Sequence, residues 1–322
     1  MISVVIPTYQ NEPILMKCLD ALARQDFPMS GLEVVVVVDG STDATVASLA
    51  ARLRSAPFRL VCVTQPNQGP GPARNHGIRR AAHDLILIIN DDLIASPGLV
   101  RAHADWHARH PERTHALLGG VEEPQNGING LVTNRLAKAF AHAQALEEAS
   151  WDCFWTTNIS LKKSFLVETG QWFSDAFPYP VHEDVEMGYR LGRRGLRLFS
   201  EPKAKGVHMH VMDYAQFARR AYQSGVCLSV FYRLHPELKD FLSGKGLVCR
   251  ETKPWRALAA DAALNAWTVG ALERTAHALA RWNRHGLAER CFDRLLGYHQ
   301  RRGVKEALSR RGLHARREAP AT

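Results

Sequence analysis

Five apolar residues, Leu85-Ile86-Leu87-Ile88-Ile89, run directly into Asn90-Asp91-Asp92. A short apolar run bounded by polar residues is the pattern of a buried strand. This strand therefore leaves the core aimed at a cluster of side-chain oxygens. Two adjacent carboxylates repel unless a cation or hydrogen-bond donors separate them. A hard divalent ion carrying a diphosphate meets that need, because such ions take oxygen ligands and often hold phosphates through few protein groups. A plain polar turn after a strand is the competing reading, and the triplet alone does not choose between them.

The same grammar recurs upstream. Ile2–Pro7 reads as a buried strand stopped by proline, Glu33–Asp39 as a strand apolar on both faces, and Phe58–Thr64 as a third. Residues 12–25 carry Ile14, Leu15, Cys18, Leu19 and Leu22 on one helical stripe. Ser41-Thr42-Asp43 offers caps for a helix reaching Arg54, and Gln68–Pro72 predicts a turn before a helix over 73–82. This alternation predicts an α/β fold, Rossmann-like, with a doubly wound, mainly parallel sheet. Ligands in such sheets bind beyond the carboxyl ends of the strands. Three of those ends carry Pro7-Thr8-Tyr9, Asp39-Gly40-Ser41 and Asn90-Asp91-Asp92.

After residue 97 the alternation weakens. Helices are expected over 98–109, 131–148 and 184–194. Strands are expected over 116–121 and 154–162, as antiparallel additions, with a short one at 196–199. From about 213 the chain reads helical almost to its end, broken by Pro236, Gly244-Lys245-Gly246, Pro254 and Gly286. The expected division is an α/β domain over 1–215 and a helical C-terminal region over 216–322.

The chain has 322 residues, 46% of them hydrophobic, enough for one large domain with an appendage or for two domains. Cys18, Cys62, Cys153, Cys227, Cys249 and Cys291 form no Cys-x-x-Cys pair, which argues against a disulfide framework and a cysteine-rich zinc site. The N-terminus has no charged region followed by an apolar one, and no apolar run approaches bilayer length. A reducing cytoplasm is the expected compartment. Of the net charge of +9, five arise in residues 301–322, where seven Lys/Arg face Glu306 and Glu318. That tail is either simply solvated or touches an anionic membrane face, where each basic residue contributes about 1 kcal/mol. No aromatic-basic interleaving or zinc-finger spacing points to nucleic acid.

Seven segments then fall into a family pattern: Val4–Tyr9, Glu33–Asp43, Gly71–Ile78, Asn90-Asp91-Asp92 with Pro97 behind it, Thr157–Leu161, Glu183–Arg190 and Val207-His208. In order and spacing, across roughly residues 1–215, they resemble the inverting glycosyltransferases of family 2, with the GT-A fold. Each segment alone is weak, and the helical tail lies outside the pattern. Two departures stand out. Val38 replaces the first of two acidic residues that usually precede Gly-Ser-Thr-Asp, while Asp39 keeps the second. The Asp-x-Asp signature appears as Asn90-Asp91-Asp92, keeping its final carboxylate.

The resemblance implies a nucleotide-sugar half over about 1–97 and an acceptor half over about 98–215. It implies transfer from a nucleotide-diphospho sugar, UDP-linked, to a glycan or lipid-linked saccharide made at the inner membrane face during polysaccharide biosynthesis. Nucleotide contacts are expected at Pro7, Thr8, Tyr9, Asp39, Ser41, Arg74, Asn90 and Asp91. A carboxylate at Asp39 accepting an imide N–H favours uracil or thymine over cytosine. Arg74 would face the base or the phosphates, or else be a surface arginine. Asp92 would bind Mn²⁺ or Mg²⁺, with His208 as a second metal or phosphate contact and His210 close enough to compete. Imidazole suits Mn²⁺ better than Mg²⁺.

Asp184 is the expected general base, taking the acceptor's proton as its oxygen attacks an oxocarbenium-like centre. The helix it begins has a dipole that lowers its pKa, so burial or Glu183 must restore its basicity. Glu183 and Asp184 as simple helix caps is the competing reading. Glu183, Asn158 and Trp155 are expected at the sugar or acceptor, although Trp151, Trp155 and Trp172 equally suit the core. Other classes remain. A nucleotidyltransferase would carry a Gly-rich loop with Lys or Arg after the first strand, and Pro7-Thr8-Tyr9-Gln10-Asn11 has neither. A non-catalytic sugar-nucleotide- or glycan-binding partner subunit fits poorly with Asp92 and Asp184 both retained. A membrane-associated scaffold would rest on the helical tail.

Overall fold

The computed structural model describes residues 1–123, 137–209, 213–247, 264 and 266–309. Readings that fall on His210, on Pro254 and on the arginines beyond residue 309 lie outside the described residues. The chain divides into two compact units. One comprises Met1–Pro124, Arg135–Asp175 and Glu183–His210; the other comprises Gln125–Asn134, Ala176–His182 and Val211–Thr322.

The first unit is built on one mixed sheet. Its strands are β1 (Ile2–Thr8), β2 (Leu32–Asp39), β3 (Arg59–Gln65), β4 (Leu85–Ile89), β5 (Leu93–Ala95), β6 (His115–Glu122), β7 (Glu148–Ala149), β8 (Asn158–Lys162) and β9 (Arg197–His208). Their order is β3-β2-β1-β4-β8-β6-β9-β5, with β7 pairing β9. Helices α1 (Glu12–Ala23), α2 (Thr45–Arg52) and α3 (Pro70–Arg80) connect the first four strands, which pair in parallel. Val4, Ile6, Val34 and Val36 pack on one face with Leu15, Leu19 and Leu22 of α1. Val5, Val35 and Val37 pack on the other with Ala73 and Ile78 of α3. Burial on both faces is why these strands read as unbroken apolar runs.

Past β4 the ladder changes sense. β8 runs antiparallel to β4 and β6, while β9 runs parallel to β6 and antiparallel to β5. Helices α4 (Leu99–Arg109), α5 (Lys163–Thr169) and α6 (Glu183–Gly192) complete the unit, together with a helical stretch over 137–144.

Several details differ from the sequence reading. β1 continues through Pro7, which pairs with Val37, to Thr8. The ladder to β4 ends at Val5, so a residue without an N–H is tolerated there. α3 begins at Pro70 rather than 73, because a first helical turn needs no donors and accepts proline. β5 has three residues, too few to register as a pattern. β9 has twelve, where a short strand was expected, because Pro202, Lys203 and Lys205 interrupt its apolar alternation. The expected strand over 154–162 begins only at Asn158, and Trp151–Cys153 forms a 3-10 turn.

The second unit contains α7 (Tyr214–Leu234), α8 (Lys239–Gly244), α9 (Ala266–Arg281) and α10 (His285–Leu308). α7 opens on a capping box. Gln216 N donates to Asp213 Oδ1 and Asp213 N donates to Gln216 Oε1, both at 2.8 Å. α7 and α10 cross at close range, since a Cβ on Gly225 or Gly303 would run into the backbone of Gln300 or Tyr222. A single cut at 215 misses one feature: Ala176–His182 groups with these helices. Phe177 meets Phe231 edge-on at 6.3 Å, and His182 Nε2 lies 2.8 Å from Ser224 Oγ.

Gly188 decides how α6 is seated in the first unit. A Cβ there would meet Trp151 O and the Phe154 side chain. Gly188→Val is expected to destabilise the protein by about 1–3 kcal/mol through overpacking. The urea midpoint should fall with an unchanged slope; an unchanged midpoint would mean that α6 is seated elsewhere.

Candidate active site

β1 lies between β2 and β4, so their carboxyl ends bring Thr8, Asp39 and Asn90-Asp91-Asp92 to one edge of the sheet. Thr8 Oγ1 donates to Asp91 Oδ2 at 2.6 Å. Burial, then the charge of Asp92, pushes Asp91 up to about 7, while hydrogen bonds from Thr8 and Asn11 pull the other way. The acidic pair is thus crowded, as the sequence implied.

β5 explains where Asp92 points. Leu93 pairs with His208 across β5 and β9, and Met209 N donates to Asp92 O at 2.8 Å. His208 Nε2 then lies 3.2 Å from Asp92 Oδ1. On its other side, His208 Nδ1 lies 2.6 Å from Glu123 Oε1. Burial opposes the imidazolium, yet Asp92 and Glu123 together push it up to about 9. Glu123 was not foreseen. Its signal was available, since it follows an expected strand as directly as Asp92 follows its own.

This donor set fits a divalent ion. A carboxylate and an imidazole nitrogen face one point, and Glu123 fixes the ring from the far nitrogen, the usual arrangement behind a metal-bound histidine. Among the described residues no group of three or more His, Cys, Asp or Glu could hold a metal unaided. An ion here would draw its remaining ligands from a diphosphate and water, as Mg²⁺ and Mn²⁺ do in phosphate chemistry.

Asp39 is 4% exposed. It accepts from Gln65 Nε2 at 2.8 Å, Gln68 N at 2.9 Å and Gly69 N at 2.8 Å. The carboxylate clamps the entry to α3 from beneath. Gln10 N donates to Ser41 Oγ at 3.0 Å, tying the loop after β1 to the loop after β2. Pro7 and Thr8 are buried and Tyr9 is exposed at the rim.

Arg74 and Glu183 correct the sequence reading. Neither is displayed at the surface. Arg74 Nη1 donates to Glu183 Oε1 at 2.8 Å, both side chains are buried, and the guanidinium also lies 5.4 Å from the Phe173 ring. Glu183 turns inward to a cation because a buried carboxylate needs one. Arg74 is thus a buried cation rather than a surface one, and Glu183 is its partner. Asn75 seals the same seam: its Nδ2 donates to Phe173 O at 2.8 Å, and Phe173 N donates to its Oδ1 at 2.9 Å.

Asp184, next in the chain, keeps a partly exposed face. Its Oδ1 accepts from Val185 N at 2.8 Å and its Oδ2 from Thr156 N at 3.4 Å. Burial, then the Glu183 charge, pushes the carboxyl up to about 6, against Arg74 and those two N–H groups. Thr157 O in turn accepts from Asn90 N at 3.4 Å. Bond by bond, the path runs from Asp39 through α3, Arg74 and Glu183 to Asp184, then through 156–157 back to the Asn90 triplet.

Asn158 is engaged with β6, β9 and α4. It is fully buried, its Nδ2 donates to Gly120 O at 3.0 Å and Ala204 O at 2.8 Å, and its Oδ1 lies 3.0 Å from His103 Nε2. Those bonds consume the amide in holding β6, β9 and α4 together. Trp155 is half-buried and meets Phe140 edge-on at 5.0 Å, packed on the core.

Known proteins resemble this chain in sequence and in fold. The profile of glycosyl transferase family 2 matches residues 3–156. Validoxylamine A glucosyltransferase of Streptomyces hygroscopicus subsp. jinggangensis is 29% identical over 271 residues, covering 74% of this chain and 62% of that protein. The poly(ribitol-phosphate) beta-N-acetylglucosaminyltransferase TarS of Staphylococcus aureus is 34% identical over 120 residues, 37% of this chain and 21% of its own. Among solved structures, mannosyltransferase PcManGT from Pyrobaculum calidifontis, in complex with GDP-Man and Mn²⁺, aligns with a TM-score of 0.62 at 23% identity. It covers 96% of this chain and 87% of that one. S. aureus TarS 1–349 in complex with UDP aligns at 0.55 and 18%, covering 94% and 91%. The fold is that of the GT-A glycosyltransferases. The chain is similar to glycosyl transferase family 2 over residues 3–156, just under half its length, and it spans about three fifths of the first of these curated relatives.

Glu183→Gln leaves the buried Arg74 without its counter-charge. The expected cost is about 3 kcal/mol of stability, read as a lowered urea midpoint. A midpoint equal to wild type would mean that the pair is not buried in solution.

Proposed function

We propose that the chain moves a sugar, with inversion, from a nucleotide-diphospho sugar to a hydroxyl of a glycan or lipid-linked saccharide. The observation that carries this reading is Asp184, a partly exposed carboxylate pushed up to about 6 and tied through Glu183 and Arg74 to the nucleotide end of the sheet. The nucleotide lies over the carboxyl ends of β1 and β2, between Pro7, Thr8 and Tyr9 on one side and Asp39 and Ser41 on the other. Asn90 and Asp91 close its ribose side. The donor is UDP-linked; the UDP and UDP-GlcNAc complexes of TarS support that choice.

Asp184 accepts the acceptor hydroxyl's proton as that oxygen bonds to the anomeric carbon. The bond from that carbon to the diphosphate oxygen breaks, and the nucleoside diphosphate leaves from the opposite face. Asp92 and His208 would hold Mn²⁺, or less favourably Mg²⁺, with Glu123 orienting the imidazole; the Mn²⁺ complex of PcManGT supports this. When bound, such an ion neutralises charge gathering on the departing diphosphate. Trp155 offers its exposed side to the sugar ring. The setting proposed is the cytoplasm, at the inner membrane face; no described helix is long and apolar enough to cross a membrane.

A base must be ionised to act, so the rate should fall as pH drops through about 6, the value to which Asp184 is raised. UDP release from a UDP-sugar with Mn²⁺, followed against pH, should have its acidic limb there. Asp184→Asn should lose roughly a hundredfold or more in kcat with UDP affinity retained. Glu183 raises Asp184, so Glu183→Gln should move the limb to lower pH. Equal UDP release by wild type and Asp184→Asn would instead favour a sugar-nucleotide-binding subunit. Separately, Glu123→Gln should weaken Mn²⁺ binding in the presence of UDP by about tenfold or more in a calorimetric titration. An unchanged Mn²⁺ affinity would place the ion away from His208.

A further inference from the structure

The second unit ends one of its helical hairpins in a turn that its own packing does not need. Arg281, Trp282, Asn283, Arg284, His285, Gly286 and Leu287 are all exposed. Trp282 is 74% exposed and Leu287 50%, while Ala276, Ala280, Ala288, Phe292 and Leu295 face inward and are buried. The two helices thus bury one face and leave a large aromatic and a leucine at the tip between them.

The tip is built rather than loose. Asn283 takes φ 58°, Asn283 N donates to Ala280 O at 3.2 Å and Arg284 N donates to Leu279 O at 2.9 Å, the pattern of a Schellman turn with asparagine in the left-handed position. Leu287 N then donates to Arg284 O at 3.1 Å as α10 begins. Trp282 is therefore presented on a fixed backbone. Arg281, Arg284, Arg290 and Arg294, close to it in the chain, are exposed as well. An open depression of about 550 Å³ lies beside it, lined by Arg284, His285, Leu287 and Arg290, with Glu289 and Asp293 on its wall.

We propose that this turn docks the protein on a bilayer of anionic phospholipid. An indole sits well at headgroup level, with its ring among acyl carbons and its N–H in the wet layer. Guanidinium forks match lipid phosphates, and arginine stems lie along apolar surface while the heads stay solvated. A protruding tip rimmed by cations suits a flat anionic sheet better than a pocket on another protein. The proposal does not rest on the reading of the catalytic carboxylates.

The test is co-sedimentation of the full chain with vesicles of phosphatidylcholine alone and of phosphatidylcholine mixed with phosphatidylglycerol. Wild type should partition onto the mixed vesicles, less so at high salt, and only weakly onto phosphatidylcholine. The double variant Trp282→Ala, Leu287→Ala should lose at least tenfold in partition. Arg284→Glu with Arg290→Glu should lose about fivefold for each basic residue removed, or more. Trp282→Phe should retain most of the binding. All these side chains are exposed, so thermal melting should be unchanged, which separates lost docking from lost folding. Wild-type binding that the variants leave intact would assign contact to another surface and overturn the proposal. So would an absence of binding, or self-association that depends on Trp282 and proceeds without vesicles.

Discussion

A guanidinium and a carboxylate, both buried, meet at 2.8 Å between Arg74 of α3 and Glu183 of α6. Neither charge could be left in the interior alone, because the desolvation of each is offset only by the other. Their meeting fixes α6 against α3, and the paired bonds of Asn75 with the backbone of Phe173 close the same seam. The residue after Glu183 is Asp184, so the seam also sets where that carboxyl stands. Burial and Glu183 raise its pKa and Arg74 lowers it, and the balance leaves a group that ionises near neutrality.

The acidic end of β4 depends on a second constraint, the short pairing of β5 with β9. Three residues of β5 bring His208 across from Leu93, and so beside Asp92. Glu123, at the end of β6, then engages the other ring nitrogen. A histidine held between carboxylates is a common preparation for a cation, because one nitrogen is oriented and the other is aimed. The fold supplies the two halves of the proposed site in different ways: parallel strand ends where the nucleotide is proposed, and mixed pairing where the ion is proposed.

Much of this was legible in the sequence. Strands buried on both faces write themselves as Val and Ile runs, and the carboxylates that follow them mark the edge where the site is proposed. Asp39 and Asp92 stand out for that reason and by family pattern, and Asp184, which begins a helix, by family pattern alone. The sequence could not tell which partner each polar group would choose. Glu183 turns to Arg74, which is 109 residues away, and His208 to Glu123, which is 85 away. Asn158 stands in the middle of a family motif yet spends its amide on Gly120, Ala204 and His103. Such choices depend on strand register, and the registers of β5 and β9 were hidden by brevity in one and by charged residues and proline in the other.

One edge of the first unit is proposed to gather a nucleotide, a divalent ion and a basic carboxyl. Diffraction from crystals grown with Mn²⁺ and UDP tests this most directly, because the anomalous signal locates the ion independently of any assumption about the protein. One peak is expected between Asp92 and His208 Nε2, with Glu123 still on Nδ1 and the diphosphate reaching from the ends of β1 and β2 toward Asp184. A peak on other residues, or a nucleotide bound away from Asp184, would contradict the proposal.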